Sequence, residues 1–318
     1  MKGLKNILRS GSSVLITLLL LLLCHKGWSQ QEAEPVYSQY MNNLMSVNPA
    51  YTAVRGVGSV SGIFRNQWVN LKGSPTTTSL TFSMPIDSLH MGLGVDLLDD
   101  KTGALSTTGL FFNYSYRIQA TESSMISFGL KAGVNYLRGD LTELYRHDID
   151  DQYIIEYGDI HRPLFNTGVG VFWYSKDFYF GLSIPRLIEN KYIKNTSIVE
   201  ANSREKQHYF LQGAYMMDLS PTVSFKPGLT TIMTAGAPIT ADFDFSFMFY
   251  EKVWFGLVYR ISDALGAYAQ FQYQNMKIGF SYDYTHTRLS EFQNGTFEVM
   301  LRFDFKTQEH QLFPHFTF

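Results

Sequence analysis

The stretch Ile126 to Tyr136, ISFGLKAGVNY, decides the fold class. Ile126, Phe128, Leu130, Ala132, Val134 and Tyr136 fall on one face at a period of two. Ser127, Gly129, Lys131, Gly133 and Asn135 fall on the other. Side chains of a β-strand alternate sides at every residue, so this is an apolar face backed by a small and polar one. Leu89 to Leu97 repeats the pattern, with Leu89, Met91, Leu93, Val95 and Leu97 against His90, Gly92, Gly94 and Asp96. Phe243, Phe245, Phe247 and Phe249 oppose Asp244, Ser246 and Met248. Phe297, Val299, Leu301, Phe303 and Phe305 oppose Glu298, Met300, Arg302 and Asp304. A soluble sandwich also alternates, but it rarely sets Gly, Lys and Asp opposite aromatic rows at this density. A wall with lipid outside and water inside requires that pairing on every strand.

Working outward, alternation and turn signals predict strands at 56–70, 74–86, 89–99, 103–118, 123–137, 165–175, 177–184, 207–219, 221–235, 240–250, 252–262, 264–274, 275–287 and 293–306. The expected fold is all-β: a transmembrane antiparallel β-barrel of about 14 strands, an even number as single-chain bacterial barrels have. Closure satisfies every backbone polar group, as a bilayer demands. The long connections, 138–164 and 185–206, both follow odd-numbered strands, and the connections after even strands are short. With a periplasmic N-terminus, the long loops then lie on the cell-surface side.

Composition agrees. Of 318 residues, 15% are aromatic, with 20 Tyr and 25 Phe, and 17% are charged, below the roughly 25% of ordinary soluble domains. Mean hydropathy near zero argues against a helical membrane protein. A net charge of −2 gives no electrostatic case for nucleic-acid binding.

The N-terminus reads as a cleaved signal peptide over 1–29. Lys2, Lys5 and Arg9 form its basic region, Val14 to Leu23 its apolar region, and Gly27 and Ser29 its small residues before a cut at Gln30. A lipoprotein leader on Cys24 is the rival, but Leu23 stands where a small residue is needed. A retained anchor helix is another, but the apolar run falls short of the roughly 20 residues a span needs. Cys24 is the only cysteine, so the mature chain has no disulfide or thiol nucleophile. The expected division is 1–29 leader, 30–55 a periplasmic or luminal segment, 56–306 barrel and 307–318 a C-terminal tail.

No catalytic constellation, metal site or cofactor motif is expected, and the chain reads as a non-enzyme. Patterns such as HExxH, GxSxG or a P-loop do not occur. Asp148, Asp150 and Asp151 could ligate calcium, but the glycine turn and distal Glu of an EF-hand are missing, so a solvated acidic loop is the plainer reading. His147 and His161 flank that loop without metal-ligand spacing. These aspartates, with Arg186, Lys191 and Lys194 of the second loop, are the candidate partner-binding residues. Luminal Lys131, Arg117, Lys226, Arg260, Lys277 and Arg302 face Asp96, Asp218, Asp244, Asp283, Glu298 and Asp304 as an ion ladder. That ladder could line a pore or merely rigidify the interior.

The most specific stretch follows the leader. It reads Tyr37-Ser38-Gln39-Tyr40, then Asn48-Pro49-Ala50-Tyr51, Arg65-Asn66-Gln67-Trp68 and Gly73-Ser74-Pro75-Thr76-Thr77. Pro disfavours helix at the residue before it, so Asn48-Pro49 opens a turn. These motifs resemble the PorP/SprF family of type IX secretion system membrane proteins of gliding and secreting Bacteroidetes, with Tyr37 where Phe is usual. Gly181, Ser183 and Pro185 look like the family's GxSxP strand end, and Phe297 to Phe305 like its closing strand. The resemblance runs over about 35–305. It implies a cell outer-membrane barrel serving protein secretion, surface attachment or gliding motility. It also implies partners among the periplasmic secretion components, a secreted adhesin or cargo on the outer side, and surrounding lipid. The rival function is a passive porin or hydrophobic-solute channel.

Overall fold

The computed structural model describes residues 37–139, 160–192 and 204–305. The leader 1–29, Asp148, Asp150, Asp151, Lys194 and the tail 307–318 lie outside the described residues.

One antiparallel sheet closes on itself. Its strands are β1 (Gly58–Asn66), β2 (Thr76–Ile86), β3 (Met91–Thr102), β4 (Leu105–Thr121) and β5 (Ser124–Gly139). There follow β6 (Ile160–Ser175), β7 (Phe178–Ile184), β8 (His208–Tyr215), β9 (Met217–Ser220) and β10 (Val223–Thr234). The chain ends with β11 (Thr240–Phe249), β12 (Val253–Arg260), β13 (Ala264–Tyr273), β14 (Met276–Thr285) and β15 (Thr296–Phe305). β8 and β9 pair in succession with β10, so they form one stave broken at Met216 and the barrel has 14 staves. Consecutive staves pair all the way round, and β1 meets β15 from Gly58↔Phe305 to Asn66↔Phe297. No strand edge is left open, which is the condition for a sheet in lipid.

The alternation is realised as read. β12 to β15 alternate buried and exposed residues almost without exception. Phe112, Leu130, Phe165, Phe255, Leu257 and Phe280 point outward and are exposed. That face is the lipid belt. Its margins carry Tyr215, Tyr250 and Tyr273 at one end and Phe165, Tyr284 and Phe297 at the other, as aromatic rings partition to both interfaces.

Connections 87–90, 122–123, 176–177, 221–222, 250–252 and 274–275 form a short-turn end. The strand ends that flank 67–75, 140–159, 185–207 and 286–295 share the opposite, long-loop end, together with the shorter connections 103–104, 235–239 and 261–263. Most strand ends fall within three residues of the sequence reading, and two differ by more. β5 and β6 pair out to Gly139↔Ile160, so the first long connection is shorter than 138–164. β1 stops at Asn66 rather than 70, because Trp68 and Asn70 take positive φ (50° and 74°) and break the extended backbone. Gln67, Trp68 and Val69 therefore lie on a turn. Val69 exchanges backbone hydrogen bonds with Gly295 and Asn294 of the neighbouring loop.

Candidate functional site

The barrel interior is occupied by the chain's own N-terminal segment. Residues Tyr37 to Val54 are almost all buried, and they bond to inward-facing side chains from both halves of the wall. The segment is built from short turns: Tyr40–Asn42, the helix Leu44–Val47, and Pro49–Tyr51. Asn48 caps the last of these by accepting the Ala50 N–H at 3.0 Å. Pro49 fits the first position after that cap, where its missing N–H costs nothing.

Both ends of the segment are held by charge. The Ser38 and Gln39 N–H groups donate to the Glu298 carboxylate at 3.1 and 3.0 Å, and the Ser38 hydroxyl donates to Asp283 at 2.5 Å. Arg65 reaches Glu298 at 3.2 Å and Asp283 at 3.1 Å, with all three side chains at most 3% exposed. This network joins β1, β14 and β15 to the segment. At the other end, Arg55 forms a two-pronged pair with Asp304 at 2.6 and 2.9 Å. Burial opposes the Arg55 charge, but the Asp304 carboxylate outweighs it and holds the guanidinium's pKa above its ordinary value.

Between the ends, the wall satisfies the segment's backbone. Lys131 donates to the Ser46 carbonyl at 2.6 Å and pairs with Asp96 at 2.8 Å. Ser183 donates to the Val47 carbonyl and Ser115 to the Thr52 carbonyl, each at 2.8 Å. Arg117 reaches the Ala53 carbonyl and pairs with Asp87 at 3.0 Å. Buried carbonyls left bare would cost about 1–3 kcal/mol each, so these luminal polar residues match a polypeptide.

The wall is notched to receive it. A Cβ on Gly129 would collide with the backbone of Pro49 and Ala50. A Cβ on Gly170 would collide with the Asn48 amide, and one on Gly181 would stand 2.9 Å from it. Tyr51 packs edge-on to Phe172 at 5.3 Å, within an apolar cluster that includes Leu44, Ala50, Tyr179, Met248 and Trp254. Phe172→Ala is expected to destabilise the folded barrel by about 3–5 kcal/mol, from lost burial and the cavity left behind. A denaturant titration in detergent checks it.

The sequence motifs thus converge. Tyr37, Ser38, Gln39, Tyr40, Asn48, Pro49, Ala50 and Tyr51 line up inside the barrel, and Arg65 anchors them. Thr77 is buried beside Arg65 in register and donates to Asp100 at 2.5 Å. Gln67, Trp68, Gly73 and Pro75 instead shape the first long-loop-end turn. Gln67 N–H donates to the Pro75 carbonyl, and Gly73 takes φ 77°. Thr76 opens β2 after it. Of the loop candidates, Arg186 pairs with Glu205 at 3.3 Å and Lys191 is exposed, bridging to Arg204. The ion ladder points inward as read, except that Asp218 is exposed on β9 and accepts from Ser224 at 2.6 Å. Sequence reasoning missed Asp87, Arg55 and the glycine notches. The need of buried Arg117 for a carboxylate was the available signal for Asp87. No group of three metal-ligating side chains occurs among the described residues.

A closed sheet with an apolar exterior, aromatic margins and a polar interior defines an outer-membrane β-barrel, here one filled by its own N-terminal segment. The fold is similar to a CymD monoaromatic hydrocarbon channel, with TM-score 0.52 and 10% identity, over 85% of this chain and 94% of that one. The toluene transporter TbuX of Ralstonia pickettii gives TM-score 0.49 and 9% identity, over 84% and 94%. No curated protein matches the chain. The family model described as "Type IX secretion system membrane protein PorP/SprF" matches residues 29–303. The chain belongs to that family, and it is a protein of the cell outer membrane.

Proposed function

We propose that this protein serves type IX secretion as a non-enzymatic, non-conducting barrel that works through protein–protein contacts at its two ends. The observation that carries the reading is the N-terminal segment, bonded along the barrel interior where a conduit would run. Tyr37 to Arg55, within the 30–55 segment that follows a cleaved 1–29 leader, acts as a luminal plug ahead of the 56–306 barrel. The long-loop end faces the cell exterior. Its two long loops, between β5 and β6 and between β7 and β8, with Asp148, Asp150, Asp151, Arg186, Lys191 and Lys194, contact an exported protein or adhesin. The short-turn end contacts the periplasmic machinery.

The rival reading, a hydrophobic-solute channel, is favoured by the fold likeness to the CymD channel. Two measurements separate them. Deleting the gene is expected to deplete the surface proteome of exported proteins while leaving uptake of small aromatic solutes unchanged. The purified protein is expected to give no steady conductance in planar bilayers. Normal export with impaired solute uptake, or a steady pore, would overturn the proposal.

A further inference from the structure

The interior charges are sorted along the barrel axis. At the long-loop end, Arg65 and Arg260 stand against Asp242, Asp263, Asp283 and Glu298, two cations against four carboxylates. Donors from Ser38 and Gln39 offset part of that excess. At the short-turn end the balance reverses. The charged groups acting on the Lys277 ammonium are Arg302, Lys226 and Arg55, all cations, and one carboxylate, Asp304. Lys226 has Asp244 as its own opposite charge. Around Lys277 the count is four cations against two carboxylates, while the nearby Arg117–Asp87 pair is balanced by itself.

The geometry sharpens the imbalance. Lys277 and Arg302 sit directly opposite each other in the β14–β15 ladder, both facing inward and both 4% exposed. Like charges directly opposite destabilise a sheet, and burial makes the repulsion stronger. Asp304 is already engaged by Arg55, and the Arg302 Nε lies 3.5 Å from it. Among the described residues no carboxylate lies within 4.0 Å of the Lys277 ammonium. It rests instead on the Trp254 ring, 3.6 Å from the centroid. A cation–π contact holds an ammonium without neutralising it. Arg302 spends one further N–H on Asn42 of the N-terminal segment, at 3.3 Å.

We propose that Lys277, Arg302 and Lys226 form a binding site for an oxyanion, a phosphate or carboxylate group, entering the barrel from its short-turn end. The bound group supplies the missing negative charge, and Arg302 and Asn42 link its occupancy to the seating of the N-terminal segment. The site is independent of the secretion reading, because a small anion tests it without any partner protein.

The test is thermal unfolding of the full-length protein in detergent, titrated with inorganic phosphate or acetate against sodium chloride at matched ionic strength. A specific oxyanion is expected to raise the midpoint saturably, by about 5 °C at a hundredfold excess over its Kd. Response to phosphate alone assigns a phosphate-type ligand, and response to acetate as well assigns a general oxyanion site. Lys277→Met is expected to unfold no earlier than the native protein without the anion and to lose the saturable increment. Lys277→Arg is expected to keep it. Equal shifts with chloride, or a shift retained in Lys277→Met, would overturn the site. A Lys277→Met protein that fails to fold would also overturn it, by marking the lysine as a required structural cation.

Discussion

Arg65→Met is expected to destabilise the folded barrel by about 3–5 kcal/mol, the usual cost of removing one member of a buried ion pair. Arg65 is the cation shared by Asp283 and Glu298, and the carboxylates would stay buried without it. Neither can find water, since Glu298 is 0% and Asp283 3% exposed at the side chain. The Glu298 carboxylate also accepts the Ser38 and Gln39 N–H groups, so the first turn of the N-terminal segment loosens with it. The measurement is a urea midpoint in detergent, with the mobility difference between unheated and boiled protein on a gel as a second readout. Arg162→Met supplies the control. Arg162 lies at the long-loop end and donates to the Lys191 and Tyr192 carbonyls, so its loss should stay within about 1 kcal/mol. Adding Glu298→Gln to Arg65→Met should recover part of the loss, because the cost lies in the unpaired charge. If Arg65→Met unfolds no earlier than Arg162→Met, the network does not anchor the segment.

The same network shows what a sequence can and cannot reveal. The barrel was legible because lipid and interior impose a period of two on each strand. Phe297, Val299, Leu301 and Phe303 outward against Glu298, Met300 and Arg302 inward needs no long-range information. Stave number and the side of the long loops followed from the same local signal. Breaks in the period were not legible. Trp68 and Asn70 read as strand until their positive φ values end β1. Met216 reads as strand but interrupts it, and its N–H donates to Asp177 at 2.6 Å. The site was half legible. Lys131, Arg117 and Arg302 could be placed inside, but nothing local says what they face. Lys131 meets a backbone carbonyl 85 positions away, and Ser38 meets Glu298 at a separation of 260. The glycine notches were hidden for the same reason. Gly129 looks like any small residue on an inward face until Pro49 and Ala50 lie against it.

That contact carries a prediction of comparable size. Gly129→Ala is expected to unseat the Asn48–Tyr51 turn, whereas Gly62→Ala should be tolerated. The substitutions are chemically identical and both lie in the wall. At Gly62 the added methyl would meet Leu80 and Ser79 at 3.8 and 3.9 Å, ordinary contact distances. At Gly129 it would occupy the space of the Ala50 nitrogen and the Pro49 carbonyl carbon. Backbone cannot rotate away as a side chain can, so the turn itself must move. Overpacking of a fitted core costs about 1–3 kcal/mol, and moving the turn adds the loss of the Asn48 bond to the Val171 carbonyl and the Ser183 bond to Val47. Strand pairing is untouched, so the barrel should still fold. Thr52→Cys, carried by all the proteins compared so that its lost hydroxyl bond to the Pro49 carbonyl is common to them, reports the outcome. Thr52 is fully buried, and the only native cysteine, Cys24, lies ahead of the described chain. A maleimide should label that cysteine at least tenfold faster in Gly129→Ala than in Gly62→Ala or in the otherwise native background. Planar-bilayer recordings of the same proteins should show conductance only for Gly129→Ala. Equal labelling rates and equal silence in all three would mean that the turn at Asn48–Tyr51 is not what closes the barrel.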